Sequence, residues 1–344
     1  MRRRILRCRR FPLQAVLLTA PEHLELRELA EPVPSDGEAA VRIRAVGICG
    51  TDQSIFRGKI PVAYPRILGH EMVGEVMFAD KVSEPGSRVV VDPNVFCGRC
   101  ARCLEGRANL CSAGWLLGRD RDGALREVVA VPGTNLYPIP DTIDDDVAPL
   151  VQVLTTCIHG QRMTEIFPGD RVVVIGLGVT GLLHVQLARL RGAGLVVGVT
   201  RSAAKLRLAE VFGADVTVPA DDRSALERVL EVTGGGGDVV IEAAGTVATL
   251  GTAVRVARPG GRILAYGTIA ETAGEFPFYE LYHKELVVSS PRAAEPGDFP
   301  VAIDAVASGR VQLGRLVSRR ANLRTAGEAI GMLGPTDLKT IVHV

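Results

Sequence analysis

The chain has 344 residues, too many for one ordinary hydrophobic core, so two domains are expected. A hydrophobic share of 47% and a formal net charge of +1 fit a globular protein and give no reason to expect nucleic acid or an acidic surface as partner. No apolar run reaches the roughly 18 residues that a membrane-spanning helix needs, so no membrane partner is expected either.

Arg2, Arg3, Arg4, Arg7, Arg9 and Arg10 crowd the start of the chain. Residues 1–12 read as a disordered extension rather than a targeting segment or a basic binding arm. Against 40 basic residues in all, lysine occurs only at Lys59, Lys81, Lys205, Lys284 and Lys339, a bias of GC-rich coding that points to a bacterium.

Folded pattern begins at Leu13. As far as about Leu150, short β runs are broken by Gly and Pro: LQAVLLTA, AAVRIRAVGI, HEMVGEVMFA, SRVVVDP and LREVVAVP. From Arg171 the grammar changes. RVVVIG, GLVVGVT, ADVTVP, DVVIEAAG, RILAYGT and ELVVSSP read as six strands, with helix-length patterns such as LLHVQLARL, AKLRLAEVF and ALERVLEV between them. Continuous apolar strands alternating with helices predict a parallel sheet covered on both faces, and six such strands are the count of a doubly wound dinucleotide-binding fold. Beyond Arg292 this rhythm ends, and the tail is expected to rejoin the first domain. The expected division is 13–155 with 292–344 as a mainly β catalytic domain, and 156–291 as the nucleotide domain.

The first strand of the second region runs into GLGVTG, residues 176–181. Gly176, Gly178 and Gly181 have the spacing of a turn that brings backbone close to a pyrophosphate at a helix N-terminus, with Val179 and Thr180 inside it. The second strand ends at Thr200, where an NAD-binding unit carries Asp or Glu for the ribose. Arg201 follows, and Lys205 lies four residues on. A missing carboxylate and added cations predict NADP(H), with NAD(H) as the alternative.

Seven cysteines are present, four of them clustered without a secretory signal ahead, which favours metal over disulfides and a reducing, cytoplasmic setting. FCGRCARCLEGRANLC spaces Cys97, Cys100, Cys103 and Cys111 so that four thiolates can close around one zinc ion, a structural site with no open position. An iron–sulfur cluster is the competing occupant. Upstream, AVGICGTD and LGHEMVGE offer the Cys49 thiolate, the His70 imidazole and the Glu71 carboxylate, a set suited to an open catalytic zinc.

GICGTD, YPRILGHE, the four-cysteine lobe and GLGVTG, in that order, make the chain from Leu13 resemble the zinc-dependent alcohol dehydrogenases of the medium-chain dehydrogenase/reductase family. KELVVSSPRAAEPGDFPVAI is more similar to the polyol and sugar-acid branch. The resemblance implies a GroES-like catalytic domain beside a Rossmann-type domain and two zinc ions per chain. It also implies hydride transfer between a secondary alcohol or ketone and the nicotinamide, on a small hydroxylated substrate, in a homo-dimer or homo-tetramer. It maps catalytic zinc ligation to Cys49 and His70 with Glu71 able to swing in, and places the first proton-relay hydroxyl on Thr51. Asp52 is expected to cap a local turn.

Within APLVQVLTTCIHG, residues 148–160, the family's third zinc ligand falls on Gln152, where Cys, Asp or Glu is usual. An amide offers an oxygen but no charge, so the metal site keeps a formal charge of +1 unless Glu71 closes in. Two further readings stand beside the dehydrogenase. One is a zinc-independent reductase of an activated double bond, iminium or quinone. The other is a nucleotide-binding redox sensor or structural protein without turnover. His159 is left open as a relay, His184 reads as a packed or surface residue of a helix, and His283, Cys157 and Cys8 carry no assigned role.

Overall fold

The computed structural model describes residues 12–78, 84–220, 224–332, 334 and 337–344. The arginine-rich start, with Cys8, and Lys81 lie outside the described residues. Contacts divide the chain into two units: the chain up to Cys100 with Cys111–Gln152 and Val317–Val344, and Ala101–Leu110 with Val153–Leu316.

The first unit is mainly β. A three-stranded sheet joins His23–Leu29, Leu13–Ala20 and Arg66–Ile67. A seven-stranded sheet runs Leu136–Pro138, Arg88–Val91, Glu71–Phe78, Glu38–Ile48, Lys339–His343, Val317–Asn322, with Val128–Pro132 also paired to Glu38–Ile48. Apolar residues of both sheets, among them Leu18, Val41 and Met72, form one buried core with Ile55, Leu68 and Leu125 from the helix and loops between the strands. Strand Glu38–Ile48 sits at the centre of this sheet. Its Gly47 lies opposite Glu71 on one side and Ile341 on the other. A side chain at Gly47 would run into the Glu71 carboxylate, 2.3 Å from where its Cβ would stand. Glycine there leaves the face of the strand open for charged groups from both neighbours to meet.

The second unit holds the six-stranded, all-parallel sheet. Its order is Val216–Pro219, Leu195–Thr200, Arg171–Ile175, Gly237–Glu242, Ala257–Ala265, Val287–Ser289. Counted along the chain this is 3-2-1-4-5-6, the order of a doubly wound nucleotide-binding sheet, in which ligands bind beyond the carboxyl ends of the strands. The apolar strands are buried on both faces, Val173, Val197, Val240 and Ile263 among them.

The boundaries by contact fall at Gln152/Val153 and Leu316/Val317, against the expected 155/156 and 291/292. The physical reason lies in helix Asp298–Ala307 and the turn after it. Phe299, Ala302 and Ala305 are buried. Gln186, on the helix that follows the glycine turn, exchanges two hydrogen bonds with the backbone of Gln312, at 3.1 and 2.8 Å. Residues 292–316 are thereby fastened to the nucleotide unit, and the return to the β unit begins only at Val317.

Candidate functional site

Cys49 closes strand Glu38–Ile48 and caps the seven-residue helix Gly50–Phe56. The Asp52 carboxylate reaches back to accept the Cys49 N–H at 2.8 Å, as a capping box requires. Asp52 does more than cap. Its other oxygen accepts the Gly69 N–H at 3.1 Å and stands 3.3 Å from His70 Nδ1. Gly69 turns with φ of 93°, a conformation open to glycine, and delivers His70 to this position. One buried carboxylate therefore fixes the backbone of Cys49 and the ring of His70 together. Burial works to lower the His70 pKa, but the charge of Asp52 and its hydrogen bond, then Cys49, hold it well above the usual imidazole range.

The ligand atoms of Cys49, His70 and Glu71 lie within 4.8 Å of one another, close enough to share one cation. Thr51, half-buried, places its hydroxyl 3.9 Å from the Cys49 sulfur. Glu71 faces a partner that the sequence reading missed. Lys339, buried on the strand that flanks Glu38–Ile48 on the side away from Glu71, donates to both Glu71 oxygens at 2.7 and 2.6 Å and to the Ile48 carbonyl at 3.2 Å. Burial pulls the Lys339 pKa down, but Glu71, Cys49 and Asp52 carry it above the usual value, so the ammonium stays charged. The carboxylate is thus held in an ion pair with which a metal would have to compete. Gln152 is buried on the first turn of helix Pro149–Met163.

In the lobe, the four sulfurs of Cys97, Cys100, Cys103 and Cys111 also lie within 4.8 Å of one another. Four Zn–S bonds of about 2.3 Å put tetrahedral sulfurs about 3.8 Å apart, and Cys100 and Cys111 Sγ are 3.8 Å apart. Backbone N–H groups point at the sulfurs, from Cys97 to Cys111 and from Cys100 to Cys97, both at 3.3 Å. The N–H groups of Arg99 and Cys100 pull the Cys97 pKa below the ordinary thiol value. The residues fit a closed zinc site.

The glycine turn assigns a separate task to each glycine. Gly176 bends with φ of 91°. Gly178 caps helix Val179–Leu190 and has open space where a Cβ would stand, which leaves room for a phosphate. Gly181 packs so closely that a Cβ would lie 1.9 Å from the Gly176 carbonyl. Val179 and Thr180 form the first turn of the helix. A cavity of about 930 Å³ opens at the strand ends, lined by Gly176, Thr200 and Arg201 among the predicted residues, and by Glu227, Thr249 and Arg255. Lys205 stands half-buried on the first turn of helix Ala203–Val211.

The remaining candidates are structural. His184 is buried and driven down to about 3 by burial and by Arg191, so of the packed and surface readings it is the packed one, a neutral ring. His283 stacks on Tyr279 at the surface. Burial pushes the Cys157 thiol up to about 12. His159, Glu295 and Asp298 also cluster within ligand distance, but the Arg162 guanidinium fills the place of a cation. It lies 3.0 Å from His159 Nδ1, 2.5 Å from Glu295 and 3.3 Å from Asp298. Asp52 caps the turn as expected, and only its contact with His70 went unread. Lys339 was missed, since one lysine in a short β run carries almost no signal.

Comparison with known proteins shows the family and the fold. The family described as alcohol dehydrogenase GroES-like domain matches residues 35–141, and the one described as zinc-binding dehydrogenase matches residues 179–308. A sorbitol dehydrogenase of Halalkalibacterium halodurans is 30% identical over 90% of this chain and 95% of its own. A zinc-binding dehydrogenase of Sinorhizobium meliloti, crystallised with NADP, is 36% identical with a TM-score of 0.90, covering 97% of this chain and all of its own. An Escherichia coli alcohol dehydrogenase crystallised with NADH is 29% identical with a TM-score of 0.90, covering 96% and 99%.

Proposed function

The chain belongs to the zinc-type alcohol dehydrogenases of the medium-chain dehydrogenase/reductase family, and from that premise we propose that it transfers a hydride between NADP(H) and a secondary alcohol or ketone of polyol, sugar or cyclitol type. The observation that carries this reading is the presence in one chain of the Cys49–His70–Glu71 cluster and of a glycine turn opening onto a nucleotide-sized cavity.

Cys49, His70 and Gln152, with Glu71 in reserve, would hold a catalytic zinc, and Cys97, Cys100, Cys103 and Cys111 a structural one. Bound zinc supplies a Lewis acid for the substrate oxygen. The chain's own residues do the rest. Asp52 keeps His70 and the Cys49 backbone in place, Lys339 holds the Glu71 carboxylate back, and the Thr51 hydroxyl is placed to pass the substrate proton outward. The NADP preference rests on Thr200 in place of an acid and on Arg201 and Arg255 in the cavity wall, which Glu227 opposes with a negative charge.

Self-association into a dimer or tetramer is part of the reading. Strand Val287–Ser289 ends its sheet, and Val287, Phe278, Tyr279 and Tyr282 are exposed beside it. No helix among the described residues is long and apolar enough to cross a membrane. A cytoplasmic setting agrees with the six free cysteines among the described residues.

The test is a screen of NADP-linked oxidation over polyols, sugars and aminocyclitols, with zinc counted on the same sample. Turnover with two zinc ions per chain is expected, and kcat/KM should favour NADP over NAD. One zinc per chain with turnover on activated alkenes or quinones instead would move the reading to a zinc-independent reductase. Nucleotide binding with no turnover in either panel would move it to a sensor. A clear NAD preference would overturn the cofactor assignment alone.

A further inference from the structure

Strand Gly237–Glu242 ends in a carboxylate that the proposed hydride transfer does not use. Glu242 is fully buried. Its Oε1 accepts three hydrogen bonds at 2.8 Å each, from the N–H of Ala244, the N–H of Gly245 and the hydroxyl of Thr249. Its Oε2 is buried with no hydrogen-bond partner among the described residues. A charge so placed is costly to bury, and most of what it does is grip the next few residues of its own chain.

That grip matters because of where residues 243–246 lie. On one side they touch the glycine turn, where a Cβ on Gly176 would stand 2.7 Å from the Ala244 nitrogen. On the other they touch the end of the next strand, where a Cβ on Gly267 would stand 2.4 Å from the Gly245 nitrogen and 2.8 Å from Glu242 Oε2. The loop is wedged between two glycines with no room for a methyl group at either. Ala244, Thr246 and Thr249 face the same cavity as Thr200 and Arg201.

We propose that Glu242 is a positioning residue for the adenosine half of the dinucleotide. By holding the loop of residues 243–246 and Thr249 against the glycine turn, it fixes the wall opposite Thr200 and Arg201. The proposal rests on the reading of the chain as a dinucleotide-dependent dehydrogenase.

Binding of an adenosine-half nucleotide, 2′,5′-ADP or AMP according to which the wild type takes, is measured beside NADPH and NADH for Glu242→Ala, Glu242→Gln and Thr249→Val. Thermal unfolding is followed on the same samples. Glu242→Ala should weaken the half-nucleotide and the whole dinucleotide by the same factor, about tenfold or more, as expected for losing three charge-assisted hydrogen bonds. Glu242→Gln keeps an acceptor oxygen without the charge and should weaken both about threefold, with Thr249→Val similar. Cofactor KM should rise while kcat holds.

A residue that only stabilises the fold would lower the unfolding temperature and leave these affinities unchanged, and that result overturns the proposal. So does a dinucleotide weakened while the half-nucleotide is not. If Glu242→Ala does not fold, Glu242→Gln decides: wild-type affinity overturns the proposal and threefold weakening supports it. A wild type that binds no dinucleotide overturns the cofactor reading and the proposal with it, whereas a binding wild type with unaffected variants overturns the proposal alone.

Discussion

The four thiols of the lobe come from residues 97–111 of one continuous segment, whereas Cys49, His70 and Glu71 meet through a strand end, a glycine turn and a neighbouring strand, with Lys339 arriving from hundreds of residues away. In the lobe, backbone N–H groups of the same short segment prepare the sulfurs. In the other cluster two buried charges already answer the ligands, Asp52 for His70 and Lys339 for Glu71. A closed site built locally needs only correct spacing. An open site that is to take up and release substrate needs its reserve ligand held back by a counter-ion, and that counter-ion is a tertiary contact.

The largest effect should come from the lobe. Structural zinc supplies about 10–16 kcal/mol of folding energy in small zinc-stapled domains. Cys100→Ser is therefore expected to remove one zinc per chain and to lower the unfolding temperature more than either of the substitutions below. Chelation of the wild type should expose the lobe thiols to alkylation, among them Cys97, whose thiol pKa lies below the ordinary value. Cys157, with its thiol pushed up to about 12 and fully buried, should stay unlabelled at pH 8. Equal labelling of Cys157 would break the contrast between prepared and inert thiols.

Lys339→Met comes next. Removing one partner of a buried ion pair usually costs about 3–5 kcal/mol, because the other charge is left alone. The loss should show in denaturant unfolding of metal-free protein and shrink when zinc is added, since Glu71 is then free to turn to the metal. A loss of the same size with and without zinc would mean that Glu71 never reaches it. Pairing Lys339→Met with Glu71→Gln should recover much of the stability of the metal-free form.

The smallest effect is kinetic. Gln152→Glu adds the anion that the catalytic ligand set lacks and should slow zinc loss to a chelator roughly tenfold, with little change in folding stability. Unchanged or faster loss would count against Gln152 as a ligand. The structure sharpens this expectation, because the charge of Glu71 is already answered by Lys339.

Legibility in the sequence divides along the same line. The six parallel strands, the glycine turn and the cysteine lobe were legible because each is set by residues near one another in the chain: apolar runs, a G-x-G-x-x-G spacing, a C-x2-C spacing. Asp52 was half legible. Its capping role follows from local spacing, but its contact with His70 depends on the Gly69 turn folding onto the helix. Lys339 and Glu242 were not legible. A buried lysine and an ordinary exposed one look alike in sequence, and what makes each of these charges important is a partner or a wedge that exists only after packing. The unit boundary near Leu316 was missed for the same reason, since the Gln186–Gln312 pair spans a long stretch of chain.

Strand Lys339–His343 lies between Glu38–Ile48 and Val317–Asn322, and this has a consequence for synthesis. A ribosome makes Cys49, His70 and Glu71 early, then all of Val153–Leu316, and only afterwards the strand that carries Lys339. Throughout that interval the nascent chain presents three candidate metal ligands with the Glu71 counter-ion still missing, and a β sheet without an interior strand. The nucleotide unit, by contrast, has every strand of its sheet in hand once Ser289 has emerged. Its sheet can close while the β unit still waits, so the moment at which Glu71 is first restrained is set by the order of translation.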